Sequence, residues 1–390
     1  MANPCSITRK AGHDSTSNDR IFSSRKYGVN LDRRFERPAK FGSKTLNLLH
    51  KSVHISLSEI LIIFISRYFP RVSITSSRSN LKGRDQDFFA LGAGPANIPC
   101  NSREVLELKI GIIGAGVVGK ATGIGLEAKG HVVTFVDNNP SRLDELKTSG
   151  HEVHDSISDT ARFSDIVMVS VPTPTVSGHT DLHAVLAVSE EVGLGLADSS
   201  GYKLVVLRST VPPRTTRKHV IPVLEAVSRK KAGPDFGVCF NPEFLREHSA
   251  LEDFLLPDRI VIGQFDQHSG NMLESLYDSF QKPVVRCTLE EAELAKYVAN
   301  AFLATKISYF NEIHELCKGL GVDPDVVSSV VAFDKRIGRY GTVGGKPFGG
   351  KCLPKDVEAF LTFAKELGVR LDVLKAAVSV KERELLRQYA

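Results

Sequence analysis

The sequence predicts an α/β fold, a doubly wound parallel sheet, followed by an all-α region built on one long helix. Three observations carry this. Between residues 108 and 288, short β-branched apolar runs alternate with helix-compatible stretches, the pattern of a parallel sheet covered on both faces. A glycine-rich turn, Gly114-Ala-Gly116-Val117-Val118-Gly119, follows the first of these runs. After residue 288 the alternation stops, and a stretch of about 30 residues without proline begins.

The 390 residues, 42% hydrophobic and 24% charged, suffice for one or two ordinary cores. Residues 1–107 hold about +8 of charge and the remainder about −3, so the folded part is near neutral and a nucleic-acid binder is not expected. The first 107 residues are rich in Ser, Asn and Arg and lack sustained periodicity, which predicts a basic, disordered, non-catalytic extension. Asp14, Asp19, Asp32 and Glu36 argue against an organelle transit peptide. The longest strongly apolar run, Ile60 to Ile65, is too short for a bilayer, which takes roughly 20 residues, so no membrane span is expected. The six cysteines form no C-x-x-C pair and no metal-like spacing with histidine. They predict reduced thiols in a cytoplasmic setting and no metal site.

"LKIGII", "HVVTFVD", "DIVMVSV", "YKLVVL", "GVCF" and "RIVIG" are the expected strands, with helices over 117–129 and 182–192 between the earlier ones. Gly114, Gly116 and Gly119 permit a tight turn and a close approach of backbone N–H groups to a pyrophosphate at a helix N-terminus. Asp137 ends the next strand, 18 residues after Gly119, where a carboxylate takes a ribose 2′-hydroxyl and repels a 2′-phosphate. NAD is therefore the expected cofactor; the alternative is a turn kept only for packing. Thr173 and the Ser209–Thr210 pair follow later strands, where hydroxyls serve either as helix caps or as ligand contacts.

Thr288-Leu-Glu-Glu291 is a capping-box start for the long helix. Its middle is apolar on nearly every side, which predicts burial against a second subunit, a homodimer. Lys296 and Asn300 are spaced i, i+4 and share one face. They either polarise a substrate oxygen in a cleft, or the lysine reaches solvent from the interface. Glu243 and Glu247, four apart in "FNPEFLRE", lie beyond a strand end and suit a general base with an orienting partner, or a solvated acidic helix start. In "PFGGKCLPKD", Cys352 stands between a glycine pair and Lys351, Lys355 and Asp356. Taken alone, it is equally compatible with a buried inert thiol and with a nucleophile activated by nearby cations.

Together, "GIIGAGVVG", "VPTPT", "RSTVPP", "FNPEFLRE", "ELAKYVANAFLATKISYFNEI", "DKRIG" and "PFGGKCLPKD" resemble, in order, the motifs of the UDP-glucose/GDP-mannose dehydrogenase family over residues 108–380. The resemblance implies a Rossmann-like NAD-binding domain over 108–288 and a helical central, dimerising domain over 289–390. It implies NAD-dependent, four-electron oxidation of a nucleotide-sugar C6 alcohol, UDP-glucose foremost, to a carboxylate. Cys352 then matches the nucleophile, and Lys296 with Asn300 the oxyanion-stabilising pair. Asp356 and Thr210 match residues that hold a water with Lys296, and Glu243 a glutamate of thioester hydrolysis. Phe244, Leu245 and Glu247 complete that motif's substrate contacts. Arg336 matches an arginine that crosses the dimer to the sugar nucleotide, and Phe348, Gly349 and Gly350 match the sugar-binding loop.

The sequence departs from the family in several places. Members continue past the matching stretch into a second Rossmann-like domain that holds much of the sugar nucleotide. The acidic-Pro-Gly-Leu segment after the second strand is replaced by "SGHEVHDSIS". His248 and Ser249 stand for Gly and Thr, Pro347 and Lys351 for small residues, and Lys381 for asparagine. Two other functions compete with the leading one. A single-step β-hydroxyacid dehydrogenase shares the Lys-x-x-x-Asn helix but needs no cysteine. A catalytically inactive NAD-binding dimer would have a regulatory or assembly role.

Overall fold

The apolar runs form strands because both faces of the sheet are covered. Residues 107–388 are described by a computed structural model; the extension expected over residues 1–107 lies outside them but for Glu107. The strands are β1 (Lys109–Ile113), β2 (Val132–Val136), β3 (Glu152–Val153), β4 (Ile166–Val169), β7 (Lys203–Leu207), β8 (Phe236–Phe240), β9 (Ile260–Gln264) and β10 (Val284–Thr288). They assemble in the order β10-β9-β8-β7-β4-β1-β2-β3. Alternate side chains enter opposite cores: Leu204 and Val206 of β7 pack with Ile110, Ile112 and Met168, while Val205 and Leu207 pack with Val169, Val238 and Phe240. A residue pointing either way is thus buried, which is why the runs are continuous rather than alternating.

Two features differ from the expected parallel sheet. β8 and β9 pair antiparallel, with Cys239 opposite Gln264 and Phe240 opposite Gly263, and β10 follows β9 in parallel. After β8 the chain turns over the carboxyl edge through 241–259 and re-enters beside it, so "FNPEFLRE" never leaves that edge. A short antiparallel hairpin, β5 (Thr175–Val176) with β6 (His179–Thr180), also stands apart from the main sheet.

The helices in chain order are α1 (Val117–Glu127), α2 (Pro140–Thr148), α3 (Ile157–Phe163), α4 (His183–Ala197), α5 (Ile221–Ser228), α6 (Ala250–Leu255) and α7 (Gln267–Leu276). They are followed by α8 (Leu289–Leu320), α9 (Pro324–Ala332), α10 (Leu353–Glu366) and α11 (Asp372–Gln388). The capping box forms as expected: the Thr288 hydroxyl accepts from the Glu291 N–H, and Glu291 accepts from the Thr288 N–H. At 32 residues, α8 is about 48 Å long and ends at Gly321 in the left-handed region. It starts beside Gly263, which pairs with Phe240 at the end of β8, and two turns carry Lys296 to the strand ends that bear the motifs. Ala301 and Ala304 of α8 pack with Phe348, Val357 and Leu374 in a third core. Among the described residues no helix is long and apolar enough to cross a membrane.

The third glycine of the turn tolerates no side chain. A Cβ on Gly119 would collide with the carbonyl oxygen of Gly114 and press on Ile112. Gly119→Ala is expected to cost ~1–3 kcal/mol in urea denaturation and to push the turn away from α1. Isothermal titration should show NAD affinity falling with it.

Candidate active site

Gly114, with φ 95°, ends β1 under the backbone of residue 170; its own Cβ would lie 2.7 Å from the Ser170 carbonyl oxygen. Gly116 has nothing within 4 Å of where its Cβ would be, and as the N-cap of α1 it offers no side-chain acceptor. The first N–H groups of α1 therefore face open space, which fits a pyrophosphate. Val117 and Val118 open that helix. Asp137 follows β2; its Oδ2 accepts from the Ala115 N–H at 2.7 Å and its Oδ1 from the Asn139 N–H at 2.8 Å. Arg142 Nη1 also approaches Asp137 at 3.2 Å, so a cation shares this corner. Thr173 donates its hydroxyl to the Thr210 carbonyl at 2.8 Å, which joins the loops after β4 and β7 at the same edge.

α8 brings the polar groups of the second half of the site. Lys296 is 4% exposed. Its Nζ donates to the Glu243 carbonyl at 2.6 Å and to Glu243 Oε1 at 2.7 Å. Glu243 Oε2 accepts from the Leu245 N–H at 2.7 Å. Burial alone would push the Glu243 carboxyl up; the Lys296 ammonium, these hydrogen bonds and Arg208 outweigh it and hold it below the usual carboxylate range. One turn on, Asn300 Nδ2 donates to Asp356 Oδ2 at 2.6 Å, and Lys355 Nζ donates to Asp356 Oδ1 at 2.6 Å. Asp356 lies in the first turn of α10, where a carboxylate meets the positive end of the helix.

Cys352 caps the N-terminus of α10 in helical backbone conformation. It is exposed, yet desolvation of its sulfur is the largest influence on the thiol and pushes its pKa up. Glu243 and Asp356 push the same way, against Lys296 and Lys355. Of the two cations expected to activate the thiol, Lys355 acts on it, together with Lys296, whereas Lys351 pairs with Glu247 at the surface; the carboxylates of Asp356 and Glu243 offset the two that act.

A cleft of about 720 Å³ contains most of the expected substrate side. Glu243, Phe244, Leu245, Glu247, Lys296 and Asn300 line one part of it, and Gly349, Gly350 and Cys352 another. Four expected residues are not on its wall. Asp356 sits behind Asn300, Phe348 is buried in the helical core with Lys381 Nζ 5.1 Å over its ring, and Thr210 is half-buried near the cofactor turn. Arg336 pairs with Asp334 at the surface, its side chain 88% exposed. The expected pairing of Glu243 with Glu247 does not form, because 241–246 is not helical. Glu243 turns inward to Lys296, while Glu247 meets Lys351 Nζ at 2.9 Å at the mouth.

Three residues escaped the sequence reading. Arg208, buried after β7, donates to Asn241 Oδ1 and to the Tyr277 hydroxyl, and its Nε has no partner. Arg259 lies 3.8 Å over the Phe244 ring on the cleft wall. Glu293 accepts the N–H groups of Arg214 and Thr216 at 2.6 and 2.8 Å, tying α8 to the chain after Thr210; burial pushes its carboxyl up to about 7.

Residues 148–281 match the NAD binding domain of the UDP-glucose/GDP-mannose dehydrogenase family, and residues 290–383 match that family's central domain. Residues 109–186 also match the coenzyme F420-dependent NADP oxidoreductase model. A GDP-mannose 6-dehydrogenase of Pseudomonas putida is 36% identical over 301 residues, spanning 71% of this chain and 69% of that protein. The UDP-glucose 6-dehydrogenase TuaD of Bacillus subtilis is 35% identical, spanning 71% and 63%. A UDP-glucose dehydrogenase structure from Pyrobaculum islandicum superposes with a TM-score of 0.67 at 37% identity, over 75% of this chain and 70% of that one.

Proposed function

Because the chain belongs to the UDP-glucose/GDP-mannose dehydrogenase family of NAD-dependent nucleotide-sugar dehydrogenases, we propose that it oxidises a nucleotide-sugar C6 alcohol to a carboxylate through Cys352, with UDP-glucose the foremost substrate. The observation that carries this is the convergence of Cys352, the Lys296–Glu243 pair and the Asn300–Asp356 pair at one cleft. Gly114, Gly116, Gly119, Asp137 and Thr173 would hold NAD. When bound, it supplies a hydride acceptor at C6 for each of two oxidations.

The chain's residues handle everything else. Loss of the first hydride and the hydroxyl proton leaves an aldehyde. Cys352 sulfur adds to its carbon, forming the C–S bond of a thiohemiacetal, while Lys296 and Asn300 stabilise the charge on oxygen. Loss of a second hydride and a proton gives a thioester at Cys352. Water, deprotonated with help from Glu243 or Asp356, attacks that carbon; the C–S bond breaks, the thiolate returns and the carboxylate leaves. Thr210 contributes to holding that water. The guanidinium groups of Arg208 and Arg259 on the cleft wall support an anionic substrate. The Phe348–Gly350 loop, with Phe244, Leu245 and Glu247, completes the substrate contacts.

The test is stoichiometry. Purified protein with NAD and either UDP-glucose or GDP-mannose should release two NADH per uronate. One NADH per product would point instead to single-step alcohol oxidation, and none with either sugar nucleotide would defeat the proposal.

A homodimer through α8 belongs to the same reading. Leu294, Val298, Phe302, Tyr309, Leu316 and Leu320 form an exposed apolar row along it. Arg336 would then reach the partner's substrate. Sedimentation should give a dimer at micromolar concentration, and Phe302→Asp, placing a charge in the row, should shift it to monomer. The four described cysteines are free, which supports a cytoplasmic setting.

A further inference from the structure

We infer that Asn311 is a positioning residue that registers the Cys352 loop against α8. The inference rests on the proposal that Cys352 is the nucleophile, and deepens it. Asn311 is 1% exposed and takes no part in the chemistry described above. Its Oδ1 accepts from the Gly345 N–H at 2.7 Å, and its Nδ2 donates to the Lys346 carbonyl at 2.8 Å. Both polar atoms of a buried side-chain amide are thereby bonded to backbone groups of the glycine-rich loop.

The loop can lie this close only because it carries no side chains there. A Cβ on Gly344 would run into the His314 side chain and stand 2.6 Å from the Phe310 carbonyl oxygen. Gly345 has φ 91° and would face the His314 ring at 3.2 Å. Beyond the clasp, Phe348 enters the core among Ala301, Ala304, Val357 and Leu374. Gly350 then turns with φ 77°, and Cys352 begins α10. Lys296, Asn300, Ala304 and Asn311 are all buried on α8. One helix thus sets both the polar pair and, through Asn311, the approach of the loop that ends in the thiol.

The experiment uses the full chain and two readouts: kcat and KM in turnover, and alkylation of Cys352 by iodoacetamide without NAD or sugar, followed on its own peptide by mass spectrometry. Asn311→Ala removes both hydrogen bonds that hold the Gly345 N–H and the Lys346 carbonyl of the loop to α8. With the loop loosened, the thiol leaves the crowding and the two carboxylates that hold its pKa up, and alkylation at pH 8 should rise about tenfold. kcat should fall about 10²-fold from lost alignment, with KM for NAD unchanged. Gly344→Ala attacks the same contact from the loop side and should move both readouts the same way.

Ser308→Ala is the control. Its hydroxyl, on the same helix, donates to the Ala377 carbonyl at 2.7 Å in α11, away from the loop. It should cost stability and leave Cys352 alkylation and kcat as they were. Alkylation within twofold of wild type in folded Asn311→Ala and Gly344→Ala, or an equal change in Ser308→Ala, would overturn the inference. Failure of the functional reading is distinct: it appears as no wild-type turnover, while the alkylation readout still decides the role of Asn311.

Discussion

Replacing Cys352 with serine is expected to leave NAD binding intact and reduce uronate formation by at least ~10³-fold. Serine has almost the same size, so the N-terminus of α10 and the Asp356 contacts have no reason to move. What changes is nucleophilicity: a hydroxyl stays protonated where a thiol supplies some thiolate. No base is bonded to position 352 that would offset this, since Glu243 is held by Lys296 and Leu245, and Asp356 by Asn300 and Lys355. The first hydride transfer does not involve sulfur, so a single-turnover experiment should show at most one NADH per site. Uronate production within tenfold of wild type would remove the covalent step from the mechanism.

Lys296→Ala is the second large effect, and it acts on rate and stability together. Loss of one donor to a developing oxyanion lowers kcat by about 10²–10³-fold. The same change leaves Glu243 buried without its ammonium partner, a situation that costs ~3–5 kcal/mol. The pH dependence should invert as well. In the wild type the depressed Glu243 carboxyl stabilises the fold above its unfolded pKa, and that contribution is lost as pH falls through the folded value. Without Lys296, burial dominates and raises the folded pKa. The contribution is then present below the unfolded pKa and lost as pH rises through the raised value. Between pH 5 and pH 8 the wild-type contribution is constant, so the urea midpoint of the variant should fall further below wild type at pH 8 than at pH 5; an equal deficit at both would mean that Lys296 does not hold the Glu243 charge.

The parts legible in the sequence are those where local chemistry and fold demand the same residue. Gly119 reads as a turn glycine because only hydrogen fits beneath the Gly114 carbonyl. Thr288 and Glu291 read as a helix start because each satisfies the other's N–H. β3, with two residues, and β10, half-exposed at the sheet edge, lack the continuous apolar run and were not legible. The reversal of β9 was invisible for another reason: "RIVIG" has the same pattern in either direction. In the site, Glu243 and Glu247 suggested a pair on spacing alone, and an extended backbone separates them. Arg208 and Asn311 carry no local signal of their roles. Their partners, Asn241 and Lys346, lie 33 and 35 residues away in sequence, and no local pattern encodes such contacts.

The strand order has a bearing on traffic through the enzyme. The glycine turn follows β1, whereas Glu243 follows β8, and β4 and β7 lie between them. At the usual spacing of neighbouring strands this is a separation of about 14 Å along the sheet edge. Under the proposed mechanism, two oxidations at one carbon would require a spent dinucleotide to be replaced while the half-oxidised sugar is still attached to sulfur. A turn and a cleft set this far apart would let that exchange proceed with the cleft closed, so that a reactive aldehyde need never reach solvent.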